Sequence, residues 1–259
     1  MKKIAFCFLI YDIINHENLW NEFFQNVDKN KYNIYIHYKN NTPLLYFEKF
    51  KLKNCIYTQY EHISIVHAQN LLLQNALLDS DNQHFIFVSN SCVPFKSFEH
   101  IYNSLSTKHS YFNICPQFQC LQRCKHLLND SNKHFIQKSS QWCILNKKHA
   151  SLMLSHTDYF DWFKDISAPD EHCYISNIFC HNLQDEIITT PNVAHDATTF
   201  TNWEGHDYPF PSQYGLKNYS SISENELRFL LESKSFFGRK FNPECNMHPD
   251  IILPIIRSS

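Results

Sequence analysis

Apolar residues along the first 115 positions keep two rhythms in turn, and that alternation narrows the fold more than any other feature of this chain. Residues 4–11 form an apolar run, 16–27 place Leu19, Trp20, Phe23, Phe24 and Val27 on one helical face, and 32–38 (YNIYIHY) alternate with a period of two. The spacing predicts a further short strand at 55–58, a helix capped by Ser64 and running to about residue 78, a strand at 85–89, a helix at 97–105 and a strand at 111–115. The run FIFVS at 85–89 is apolar without interruption, as expected of a central strand covered on both faces. Strands alternating with helices predict an α/β fold: an open sheet with helices on both faces, right-handed crossovers, and ligands beyond the carboxyl ends of the strands.

The second half is less regular. Residues 141–145 read as a strand, 147–156 as a helix, and 169–180 as a helix with Pro169 at its first position. An irregular stretch, 191–217, precedes a helix opened by Ser223 and Glu226, which have the spacing of a capping box, and the chain ends in SFFGRKF and an apolar tail. No repeat, linker or low-complexity segment divides the 259 residues, so a single domain over 1–259 is expected.

Composition removes several function classes. A net charge of −2 offers no broad basic field for polyanions, so any phosphate site must be local. With only three glycines, Gly205, Gly215 and Gly238, neither a G-x-G-x-x-G turn nor a P-loop can be built. The N-terminal run meets Asp12 too early for a secretory signal, and no run reaches the ~20 apolar residues of a spanning helix. The expectation is a soluble, cytoplasmic protein, open to peripheral membrane association, in which ten scattered cysteines are reduced. Cys120-x-x-x-Cys124 followed by His126 resembles half of a zinc site, but a second pair at finger spacing is missing.

Asp79-Ser80-Asp81 has the pattern of a divalent-metal motif. It precedes the strand at 85–89, however, and so falls at the sheet edge opposite the ligand side, where Asp and Ser favour a solvated turn. Residues 89–94, which follow the strand, include no carboxylate for a hard cation. No metal is therefore expected there.

Five motifs occur in order: IYTQYEHISIVHAQNLLLQNALLDSDNQHFIFVSNSCVPFKSFEHIY (56–102), KSSQWCILNKKHA (138–150), APDEHCYISNIF (168–179), TNWEGH (201–206) and FFGRKF (236–241). Together they resemble the core 2/I-branching β-1,6-N-acetylglucosaminyltransferase family, glycosyltransferase family 14, and especially its plant-type branch. The resemblance implies a GT-A type, Rossmann-like mixed sheet and a metal-independent, inverting transferase. Its donor would be a UDP-sugar, UDP-N-acetylglucosamine first and UDP-xylose as the alternative, and its acceptor a glycan hydroxyl. Neither a metal cofactor nor a nucleic-acid partner is implied.

Inverting transfer needs a base for the acceptor hydroxyl and positive charge for the departing diphosphate. Glu171 matches the family's catalytic base, although Asp170 and Glu171 also sit where a helix dipole favours acids, with Asp170 orienting or touching the acceptor. Lys240 matches the diphosphate-binding lysine, Lys217 falls where a second basic group is expected, and Arg239 competes for that role. Two such cations can replace a divalent ion. Trp203 resembles the acceptor-side tryptophan, with Glu204 beside it, and Trp142 is either a cleft residue or a core residue of an apolar strand. Tyr11 and His37 end the first two strands, and Ser64 and His67 open the next helix, where a nucleotide would lie. Two other readings stand beside the transferase: a non-catalytic carbohydrate-binding protein on the same scaffold, and a hydrolase. The hydrolase suffers from adjacency, since its carboxylates must flank one bond about 5–9.5 Å apart.

Overall fold

The computed structural model describes residues 2–129, 132–189, 198–205 and 208–258. In chain order the first half carries β1 (Lys3–Ile10), α1 (Glu17–Phe24), β2 (Tyr32–Tyr38), α2 (Ser64–Ala76), β3 (Asn82–Ser89), β4 (Val93–Pro94), α3 (Phe98–Ser104), β5 (Ser110–Phe112) and α4 (Gln117–Cys124). The second half carries β6 (Ile144–Asn146), α5 (Lys147–Ser155), α6 (Cys173–Cys180), β7 (Ile187–Thr189), β8 (Thr199–Thr201), α7 (Glu224–Glu232), β9 (Phe237–Arg239) and α8 (Pro249–Ile256). The main sheet is open and mixed, in the order β2-β1-β3-β6-β5-β7. β1 lies parallel to β2 and β3, and β6 is antiparallel to both β3 and β5. Parallel neighbours need crossovers, which α1 and α2 supply.

β3 has the central place that its uninterrupted apolar run predicts. Ile86 and Val88 join Phe6 and Phe8 of β1 in one core, while Phe85 and Phe87 join Ala5 and Cys7 in the other. The period of two therefore divides each strand between two covered faces. The first core is rich in rings: Trp20 and Phe24 of α1 pack edge-on against Phe6 at 6.3 and 5.0 Å, and the Trp20 indole N–H donates to the Cys92 carbonyl at 2.9 Å. That bond satisfies the one polar atom a buried tryptophan brings with it.

Several expectations are corrected. Residues 55–58 form no strand; the partner of β2 there is Lys51, through a single bridge to Ile36, and the Ile56 amide is taken by the His37 ring. Ser64 is the first residue of α2 and not its cap, because its hydroxyl accepts the Gln59 amide five residues back. The strand expected at 141–145 begins only at Ile144. The helix expected at 169–180 is a 3-10 turn, Pro169–Glu171, followed by α6. Part of the stretch 191–217 lies outside the described residues, but β8 sits within it, and SFFGRKF supplies β9. The Ser223 cap does form, its hydroxyl accepting the Glu226 amide at 3.2 Å, and Asp79 accepts the Asp81 amide in the expected turn while pairing with Lys3 at 2.8 Å.

A second small sheet, β4-β9-β8, carries the consequence for function. β9 runs antiparallel to β4, four residues beyond the end of β3, and so draws Arg239 and Lys240 against the carboxyl edge of the main sheet. Gly238 permits the approach: a Cβ there would meet the Phe95 ring at 2.0 Å. Phe95 is wholly buried, so the ring has little room to retreat. Gly238→Ala is expected to destabilise the fold by about 1–3 kcal/mol through overpacking, read from the urea midpoint; an unchanged midpoint would mean that β9 can lift from Phe95 freely.

Candidate functional site

The carboxyl ends of β1 and β3 open into a cleft of about 870 Å³. Leu9, Ile10, Tyr11, Ser89 and Asn90 form its sheet side, and β9 brings in Arg239 and Lys240. The Pro169–Glu171 turn contributes Asp170 and Glu171 to the same cleft. Ala168, with φ at 53°, makes the left-handed bend that redirects the chain into that turn, a costly conformation for a residue with a Cβ.

Glu171 is held in place by two cations. Arg123, from α4, and Lys138, at 3.4 Å, both engage Oε2, and among the described residues neither cation is committed to Oε1. Its own backbone carbonyl accepts the Ser139 amide at 2.8 Å, tying the turn to the KSSQW segment. Asp170 differs. Its Oδ1 is buried without a hydrogen-bond partner, and burial, reinforced by the neighbouring Glu171 charge, pushes its pKa up to about 7. Adjacent in sequence, the two carboxyls thus have opposite surroundings, one clamped by cations and one desolvated.

Arg239 and Lys240 form the positive wall. Burial lowers the pKa of both, and for Lys240 the adjacent Arg239 charge adds to the effect. The Arg239 guanidinium lies 4.6 Å from the centre of the Trp142 ring, and its Nε is buried with no hydrogen-bond partner. Among the described residues neither cation is in ion-pair contact with a carboxylate, although the Asp170 and Glu171 charges act on Arg239 from farther off; an anion supplied from outside, such as a diphosphate, would satisfy the donors left open. Trp142 is therefore part of the cleft, though only 6% exposed, since it precedes β6 and supports Arg239.

The other expected residues divide. Tyr11, Trp203 and Glu204 line the cleft, and the Glu204 carboxylate accepts the Gly215 amide at 2.8 Å. Lys217 lies outside the lining: its ammonium is 3.2 Å from both oxygens of buried Glu226, whose charge needs a partner. His37 is wholly buried and also outside it, its Nε2 accepting the Ile56 amide. Ser64 and His67 do not line the cleft either, although Ile65 between them does. Missing from the sequence reading were Arg123, Lys138, Lys39 and Tyr60. Lys39 stands 5.0 Å from the Tyr11 ring centre. Lys138 opens the KSSQW motif and could have been found there; Arg123 sits on a helix the periodicity did not reveal. His126 borders a separate depression of about 720 Å³, lined among the described residues by Leu127, Asn129, Asn132, Phe135, Trp162 and Cys180.

With this geometry in place, similarity to known proteins can be set beside it. The family model for the core-2/I-branching enzyme matches residues 4–240. The chain belongs to the core-2/I-branching enzyme family. It is 24% identical over 232 residues to Glycosyltransferase BC10 of Oryza sativa subsp. japonica, a match covering 75% of this chain and 57% of that protein. Among solved structures it resembles the WbbM bifunctional glycosyltransferase in its apo form, with 13% identity and a TM-score of 0.46 over 92% of this chain and 46% of that one. The chain thus spans about half the length of these relatives. All ten cysteines are free thiols, and among the described residues no helix is long and apolar enough to cross a membrane.

Proposed function

We propose that this member of the family is an inverting glycosyltransferase that moves N-acetylglucosamine from UDP-N-acetylglucosamine to a hydroxyl of an acceptor glycan, without a divalent metal at the diphosphate. The observation that carries the reading is the sharing of one cleft by Glu171 and the Arg239–Lys240 pair, with the Arg239 Nε buried and without a hydrogen-bond partner among the described residues. Glu171 Oε1 takes the acceptor proton as the hydroxyl attacks the anomeric carbon, and the carbon–phosphate oxygen bond breaks from the opposite face. Negative charge develops on the diphosphate, where fixed cations in a partly desolvated cleft stabilise it without reorganising. Arg239 and Lys240 do this work in place of the Lys217–Lys240 pair that the resemblance implied.

In this reading Tyr11 and Lys39, which contact one another, hold the nucleotide, and Trp203 and Asp170 hold the acceptor beside Glu171; all five line the one cleft. A half-exposed tryptophan offers the apolar face that a sugar ring stacks on. The test is a panel of UDP-sugars, assayed for binding and for UDP release, with excess EDTA added at the start or with added Mn²⁺. UDP-N-acetylglucosamine is expected to turn over equally in both; preference for UDP-xylose would reassign the donor, and activity only with Mn²⁺ would defeat the metal-free account. Glycan binding with no UDP release from any donor would favour the carbohydrate-binding reading.

A further inference from the structure

Behind the Glu171 turn, facing away from the cleft, three soft ligands converge. Cys120 and Cys124 stand one helical turn apart on the same face of α4, and both meet His172, the residue after Glu171. All three side chains are wholly buried, and their ligating atoms lie within 4.8 Å of one another. Cys124 Sγ is 3.6 Å from His172 Nδ1 and 4.0 Å from Nε2, and Cys120 Sγ is 4.0 Å from Nδ1. Bond lengths of about 2.3 Å to sulfur and 2.0–2.2 Å to nitrogen or oxygen, at tetrahedral angles, require ligand atoms roughly 3.5–3.8 Å apart. Cys124 Sγ and His172 Nε2, at 4.0 Å, stand a little beyond that spacing, so the cluster has to contract slightly to close on an ion.

We infer that Cys120, Cys124 and His172 form a structural zinc site. His172 Nδ1 lies 2.8 Å from the Gln137 carbonyl, so an N–H donated there leaves the Nε2 lone pair for a metal, the usual outer bond of a ligating imidazole. The Ile136 carbonyl oxygen, 3.5 Å from Cys120 Sγ, is at tetrahedral spacing from that sulfur and is the candidate fourth ligand. Two thiolates also cancel a divalent charge, so the centre is neutral and suits a buried position better than two separate thiolates would. The neighbouring ring of Phe163 stacks over His172 at 5.8 Å and closes that side. An ion here touches no donor substrate; it ties α4, which carries Arg123, to the turn that carries Glu171. Being enclosed, it would survive the brief EDTA exposure of the transfer assay.

The experiment uses the full chain, purified without chelator or a histidine tag, with zinc counted by plasma mass spectrometry. Stoichiometric zinc is expected, lost in Cys120→Ser and Cys124→Ser and kept in Cys180→Ser. Because the serine variants could misfold, the wild-type chain depleted by prolonged dialysis against a chelator is titrated with Co²⁺. An intense thiolate-to-cobalt charge-transfer band, abolished by one equivalent of zinc, supports the site. Zinc no higher than in a protein-free blank together with no such band overturns it, as does a Cys120–Cys124 disulfide in freshly purified protein.

Discussion

Replacing Glu171 with glutamine is expected to lower turnover by roughly 10²–10⁴-fold, the usual contribution of a positioned base, while leaving affinity for UDP nearly unchanged. Glutamine keeps the shape and can still accept a bond from Arg123, but it cannot take up the acceptor proton. Binding of UDP should persist because the cations proposed to hold the diphosphate, Arg239 at the end of β9 and Lys240 just after it, lie on a different element from the Pro169–Glu171 turn. Turnover and calorimetric UDP titration, measured on the same preparation, separate the two effects. Turnover within roughly a factor of ten of the native chain would remove the base from Glu171 and turn attention to Asp170, whose Oδ1 is buried and unpartnered. A parallel collapse of UDP affinity would instead mean that Glu171 holds the cleft together through Arg123 and Lys138.

The second large effect concerns stability in mild acid. His37, His84 and His149 are wholly buried, and burial lowers the pKa of each to about 4. His37 accepts the Ile56 amide, and His84 faces the Ser106 carbonyl with Lys2 nearby. His149 Nδ1 faces Ser110, and its Nε2 is 3.4 Å from a Glu186 oxygen, an attraction that burial outweighs. In the unfolded chain these rings titrate near 6.5, so the unfolded state binds protons first. The stability they contribute is complete above about pH 6.5 and is lost as the pH falls toward 4, on the order of 1 kcal/mol per pH unit for each ring. Asp79, held down to about 2 by its bond from Lys3, acts only at lower pH, whereas Asp170, pushed up to about 7, takes up its proton in the folded chain across this window and offsets roughly one of the three rings. Urea midpoints at pH 7 and pH 5 should therefore differ by several kcal/mol of unfolding free energy on this linkage. A flat profile would show that the rings gain water or a partner when protonated.

What could be read in the sequence follows from how far each signal reaches. β1, β2, β3 and α1 were legible because a strand or helix buried on a fixed face must repeat its apolar residues at a fixed period. The cap at Ser223 needed only three neighbouring residues. Residues 55–58 misled because a short apolar run carries no information about whether a partner strand has an open edge. α4 was hidden by its glutamines and cysteines, which break the contrast on which periodicity depends.

At the cleft, Glu171 and Lys240 were accessible through local motifs, whereas the pairing of Lys217 with Glu226 depended on which carboxylate was buried nearby. The cysteine cluster shows the same limit: spacing along the chain pointed to His126, but folding brings in His172, 48 residues from Cys124. Proximity across such a separation leaves no trace in a single chain.

The three-stranded β4-β9-β8 sheet has a bearing on when the molecule becomes competent. β4 and β9 are more than 140 positions apart, yet their pairing is what carries Arg239 and Lys240 to the mouth of the cleft. During synthesis the main sheet can assemble from earlier residues while the cleft still lacks Arg239 and Lys240. Nascent or C-terminally shortened chains would thus have a nearly finished scaffold without Arg239 and Lys240, and on the proposed function nucleotide capture would report the closing of the most widely separated strand pairing in the fold.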